Sequence, residues 1–74
     1  MDFTQFQKEW KAVSKFRGDG IRVIILNKKS HLYATNYKIH YKNTELDTIE
    51  LFISHNDKDI LIGELMFDEI VSVI

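Results

Sequence analysis

Phe16-Arg17-Gly18-Asp19-Gly20-Ile21-Arg22-Val23-Ile24-Ile25-Leu26 is the stretch that decides the fold, because the spacing of apolar residues changes across it. Before it, Phe3, Phe6, Trp10, Val13 and Phe16 recur at steps of three and four, the period of one helix face. After it comes a β-branched run whose period falls to two. The spacing predicts a helix over 3–16, opened by Asp2 with Gln5 as its capping-box partner and ended by Gly18 or Gly20. The outer face of that helix carries Lys8, Lys11 and Lys15, which reads as a solvated stripe.

Strands follow to the end. Ile21 to Leu26 and the polar turn Asn27-Lys28-Lys29-Ser30 begin a hairpin. From His31 to Lys42 the chain alternates, with Tyr33, Tyr37, Ile39 and Tyr41 on the core side and Asn36, Lys38, His40 and Lys42 on the wet side. Leu46 to His55 alternates again, Asn56-Asp57-Lys58-Asp59 has the composition of a turn, and Ile60 to Phe67 is a fourth strand in which Gly63 marks a bulge or a close backbone approach. Asp68-Glu69 is a corner before the apolar strand Ile70-Val71-Ser72-Val73-Ile74. That last strand needs cover, from barrel closure or from a subunit interface. The expected fold is α+β: one domain over 1–74, with an N-terminal helix packed on a four- to five-stranded antiparallel sheet, SH3-like or Sm-like if it curls.

Seventy-four residues leave room for one core. A chain this short without disulfide or metal staples often gains stability by pairing, so a homodimer is expected. Cys is absent, which excludes disulfides and thiolate chemistry and suits a reducing cytoplasm. The longest apolar run, Val23 to Leu26, is far short of the roughly 20 residues of a membrane span, and the first residues lack a signal-peptide layout.

Charge is divided along the chain. Residues 1–43 hold nine basic against three acidic residues, a net +6; residues 44–74 hold Lys58 against eight acidic residues, a net −7. Those eight are Glu45, Asp47, Glu50, Asp57, Asp59, Glu64, Asp68 and Glu69. Carboxylates spaced along strands can imitate the phosphates of DNA and occupy a basic groove, which makes this set the candidate partner-binding surface. Tyr37, Lys38, His40 and Lys42 offer the opposite mixture, rings to stack on bases and cations for phosphates.

Enzymatic constellations are poorly represented. His31, His40 and His55 lack metal-ligand spacing, the serines sit in no nucleophile elbow, and Gly18, Gly20 and Gly63 form no phosphate-cradling loop. The expectation is a binding protein without catalytic residues, metal or cofactor.

Two resemblances extend this reading. Ile60-Leu61-Ile62-Gly63-Glu64-Leu65-Met66-Phe67, followed by Asp68-Glu69 and Ile70-Val71-Ser72-Val73-Ile74, resembles the last two strands of Sm-like and SH3-like barrels. With a helix in front, the layout is similar to the bacterial Sm-like RNA chaperones, which implies RNA binding. The Cys-free, Pro-free chain, rich in Lys, Asn, Ile and Asp, resembles the small early host-takeover proteins of AT-rich bacteriophages, among them staphylococcal phage inhibitors of the DNA polymerase sliding clamp. That resemblance implies a host cytoplasmic location, a basic DNA-handling protein as partner and no direct DNA binding. Thr48-Ile49-Glu50-Leu51-Phe52 is similar to the bacterial clamp-binding pentapeptide, with Leu51 and Phe52 identical.

Overall fold

The computed structural model describes residues 1–44 and 47–74. Helix α1 spans Phe3–Arg17. The Asp2 carboxylate accepts the Gln5 N–H at 2.8 Å, and Gly18, at φ 78°, ends the helix by donating its N–H to the Ser14 carbonyl. Six strands follow: β1 (Ile21–Leu26), β2 (Ser30–Ala34), β3 (Ile39–Asn43), β4 (Thr48–His55), β5 (Lys58–Met66) and β6 (Ile70–Val73), with a 3-10 turn over Phe67–Glu69. They form two antiparallel sheets, sheet A in the order β2-β1-β6 and sheet B in the order β3-β4-β5. The single sheet of four or five strands is therefore corrected to two sheets of three, and no strand pairing among the described residues closes them into a barrel.

The cause lies in residues 35–38. The Thr35 hydroxyl donates to the Tyr37 carbonyl at 2.7 Å and accepts the Tyr37 N–H at 3.0 Å, and such local bonds compete with a strand ladder. The Thr35 and Ile39 N–H groups turn instead to the carbonyls of Gly20 and Asp19. The predicted strand over 31–42 thus splits, its first part joining sheet A and its second part sheet B. Gly20 permits the crossing, because a Cβ there would lie 2.5 Å from the Thr35 carbonyl oxygen. Ile39 and Tyr41 keep their predicted core side, whereas Tyr37, caught in the break, is exposed.

Two further turns set the site. Asn56 and Asp57 both have positive φ, 51° and 61°, so the β4–β5 hairpin closes in two residues, as a primed turn does. Asp59 consequently lies in β5 and not in a four-residue turn. In the same hairpin Leu51 faces Gly63 while Phe52 faces Leu61, leaving Ile62 as the extra residue of a bulge. A Cβ on Gly63, which adjoins the bulged Ile62, would meet the Tyr33 hydroxyl at 2.6 Å, so the close approach at this glycine is by a side chain and not by backbone.

Phe6, Trp10 and Val13 of α1 pack on Ile24, Leu26, Ile39, Ile49, Leu51, Leu65, Phe67, Ile70 and Val73. The Tyr41 ring stands edge-on to Phe6 and Trp10 at 5.0 Å from each, a favoured aromatic geometry. Phe16 departs from the predicted helix face and is 89% exposed. At 100° per residue it lies about 100° around α1 from the centre of the Phe3, Phe6, Trp10 and Val13 stripe. Arg22 takes the opposite course: it points inward from β1 and is fully buried. Its guanidinium donates to the carbonyls of Gly18 at 2.7 Å and Ile21 at 2.6 Å and to the Ser14 hydroxyl, and lies 4.4 Å from the Trp10 ring centre. Burial lowers its pKa, opposed by Asp19, yet an arginine remains charged.

The last strand is covered by the helix. β6 pairs with β1, and on its other edge the Val73 N–H donates to the Glu9 carboxylate at 2.9 Å. A strand edge blocked in this way is a poor template for further pairing. Among the described residues no helix is long and apolar enough to cross a membrane.

Candidate functional site

Strand pairing determines which of the eight carboxylates act together. In sheet B, Ile49 and Leu51 face the core, so Thr48, Glu50, Phe52 and Ser54 face outward. Their cross-strand neighbours put Lys42 and His40 of β3 and Met66, Glu64, Leu61 and Asp59 of β5 on the same outer face. This face runs from a basic edge at β3 to an acidic edge at β5. Glu50 and Glu64 sit directly opposite each other at its centre. Like charges in that position destabilise a sheet, by roughly 0.2–1 kcal/mol.

At the hairpin end, Asp57 is in the turn and Asp59 begins the acidic edge. At the other end Asp47, Asp68 and Asp2 line a groove of about 640 Å³ with Asn43, Met66 and Phe67. Asp47 is fastened there by its carbonyl, which accepts the Phe67 N–H at 3.1 Å. Six of the eight predicted carboxylates, Asp47, Glu50, Asp57, Asp59, Glu64 and Asp68, thus belong to sheet B and its two ends. Glu69 does not: it lines a separate hollow with Lys28 and Lys29 beside the β1–β2 turn. Glu45 lies outside the described residues. The sequence marks Asp2 only as a helix cap; its place beside Asp47 and Asp68 follows from Phe3 packing against Phe67 at 5.7 Å.

One carboxylate is neutralised within the face. The Ser54 hydroxyl donates to Asp59 Oδ1 at 2.9 Å, Lys42 Nζ donates to Oδ2 at 3.3 Å, and His40 Nε2 lies 3.3 Å from Oδ1 and 3.1 Å from the Ser54 hydroxyl. Phe52 forms the floor, with the Lys42 ammonium 4.8 Å from its ring centre and the His40 ring stacked at 5.8 Å. Ser54 and Asp59 meet the same ring nitrogen, and the serine proton is directed at the carboxylate. A nucleophilic triad instead uses the two ring nitrogens for different partners, so this cluster is arranged as an ion-pair network. Among the described residues no group of three or more His, Asp or Glu could hold a metal ion.

The Ser54 hydroxyl, followed by Lys42, holds the Asp59 carboxyl below its ordinary value near 3.8. A depressed folded value means that Asp59 contributes stability above the ordinary value, and that the contribution is lost as pH falls through the folded one. Asp59→Asn is therefore expected to melt below the wild type at pH 7 and to converge with it as the pH falls through the lowered folded value. Melting curves of both proteins across that range check the pairing; a gap that persists in acid would show that some other effect of the substitution is being measured.

Of the basic and aromatic set, His40 and Lys42 share the Phe52 floor, while Tyr37 leaves the strand and stands edge-on to His55 at 4.8 Å. The pentapeptide-like segment Thr48 to Phe52 is the first part of β4, the middle strand of sheet B, and its Ile49 and Leu51 are fully buried. It is part of the core and is not a free clamp-binding peptide. Comparison with protein-family models, with curated proteins and with solved structures finds no match.

Proposed function

We propose that this protein is a non-enzymatic inhibitor that presents the acidic edge of sheet B to the basic DNA-binding surface of a DNA-metabolism protein, with a sliding clamp of a phage host as the candidate. The observation that carries the reading is the Glu50–Glu64 pair. Two carboxylates facing each other across a ladder cost stability, and Lys42, the other cross-strand neighbour of Glu50, sends its ammonium to Asp59. A basic partner would relieve that repulsion on binding. Asp57 continues the charge at one end, where Asp59 is already paired with Lys42, and Asp47, Asp68 and Asp2 continue it at the other. A partner channel lined with positive charge for duplex DNA would meet carboxylates along the whole of this edge.

Tagged protein passed over bacterial lysate is expected to retain a clamp or another DNA-handling protein after nuclease treatment. The affinity of the purified pair is expected to fall at least about tenfold between 50 and 500 mM salt, since screened charges supply much of the attraction. Binding indifferent to salt would exclude electrostatic mimicry.

A second reading, an Sm-like RNA-binding barrel, draws on strand order. If β2 and β3 are taken as halves of one broken strand, the order 6-1-2 and 3-4-5 with a 3-10 turn before the last strand is similar to that of SH3-like and Sm-like barrels. Tyr37, Lys38, His40 and Lys42 would then carry RNA at the β3 edge, with Phe52 as an added stacking surface. Retention of RNA in the same experiment, lost with nuclease, would select this reading over the first.

A further inference from the structure

The two sheets differ in what they show to water. The outward residues of sheet B include Lys42, Glu50, Asp59 and Glu64. Those of sheet A follow from the burial of Arg22, Ile24 and Leu26 on its inner side and from its register. They are Ile21, Val23 and Ile25 in β1, Ser30, Leu32 and Ala34 in β2, and Ser72 and Ile74 beside β1. The Val23–Ile74 pair exchanges backbone hydrogen bonds at 2.6 and 2.8 Å, which fixes Ile74 on that side. No charged residue occurs among these eight, in a chain that is 28% charged. Leu32 is 68% exposed and Ile74 47%.

We infer that the outer face of sheet A is a twofold interface with a second copy of this chain. The face is three strands wide and five residues long, about 14 by 17 Å. Ile74 also lines the groove between α1 and β6 together with Phe16, Glu9 and Arg17, so the uncharged face ends there on a rim that carries both an exposed aromatic ring and charge. The outline of the face, about 240 Å², is well short of the roughly 800 Å² per partner of a standard interface, which suits a weak, reversible dimer and not an obligate one. A twofold interface uses the same patch on both subunits, and a flat, uncharged patch without a deep pocket or a fixed polar group complements itself without leaving a charge buried. A charged partner would have to bury ions against it. The acidic edge lies on the other sheet, so this pairing leaves both acidic surfaces open, and the dimer stands or falls independently of what they bind.

Sedimentation equilibrium of the full chain from about 1 to 300 μM tests this, with circular dichroism to verify folding. Wild type is expected to pass from monomer to dimer within that range, with a melting temperature that rises with concentration. Leu32→Glu, at an exposed position, is expected to remain monomeric throughout, and the milder Leu32→Ser to weaken the dimer at least about tenfold. Leu61→Glu, at an exposed position on sheet B, is expected to dimerise as wild type does. The inference is overturned if wild type stays monomeric, if Leu32→Glu still dimerises, or if Leu61→Glu is the variant that dissociates.

Discussion

Arg22→Ala is expected to lower the free energy of unfolding by about 3–5 kcal/mol. Three losses coincide at that position. The carbonyls of Gly18 and Ile21 and the Ser14 hydroxyl lose their common donor at the end of α1. Trp10 loses the cation lying 4.4 Å from its ring centre. A cavity opens under the last helical turn, where Arg22 is fully buried. A domain holds only about 5–15 kcal/mol in total, and one of this size sits near the lower end, so Arg22→Ala should be largely unfolded in modest urea. Arg22→Met separates the causes, because it keeps most of the volume while removing both the hydrogen bonds and the buried charge; its expected cost is about 1–2 kcal/mol. Arg22→Lys should not rescue, since an ammonium cannot span three acceptors as a planar fork does. Urea unfolding followed by Trp10 fluorescence measures all three. A loss below about 1 kcal/mol for Arg22→Ala would mean that the helix end is held by something else.

The second large effect concerns binding. Reversing both members of the central pair, Glu50→Lys with Glu64→Lys, exchanges one like-charge pair for another but also places a lysine at position 50 opposite Lys42, so stability should fall by no more than about 1 kcal/mol. Affinity for a basic target should fall at least about 100-fold, the equivalent of roughly 3 kcal/mol. Glu64→Lys alone places opposite charges across the ladder; it should stabilise the fold by a few tenths of a kcal/mol while weakening binding to the target. Opposite movements of stability and affinity in one variant are difficult to obtain unless the acidic edge serves a partner. Calorimetry with the captured target and a urea melt of the same variants would show them. Loss of binding with matching loss of stability would instead reduce Glu50 and Glu64 to structural residues.

Much of this architecture was legible in the chain because it depends on local period. The helix followed from apolar steps of three and four and from the Asp2 and Gly18 ends, and the β4–β5 hairpin from alternation around Asn56 and Asp57. Gly63 in an apolar run signalled the bulge, although the group that approaches it is the Tyr33 side chain and not backbone. The charge division was legible as well, down to the eight acidic positions.

What the tertiary structure decided involves partners distant in sequence. Period placed Phe16 with the core aromatics and Arg22 on an ordinary strand, yet packing left Phe16 in water and buried Arg22, because the last turn of α1 is closed by the guanidinium and not by a ring. Alternation ran unbroken through 31–42, but the Thr35–Tyr37 bonds and the backbone reach of Asp19 and Gly20 cut that strand and sent its halves to different sheets. Register then brought Glu50 to Glu64 and Asp59 to Lys42, and left Glu69 with Lys28 and Lys29. A strand's own sequence dictates which side chains alternate, and so which are apolar together. Which charges become neighbours depends on the pairing of one strand with another, and that is set by closure of the whole core.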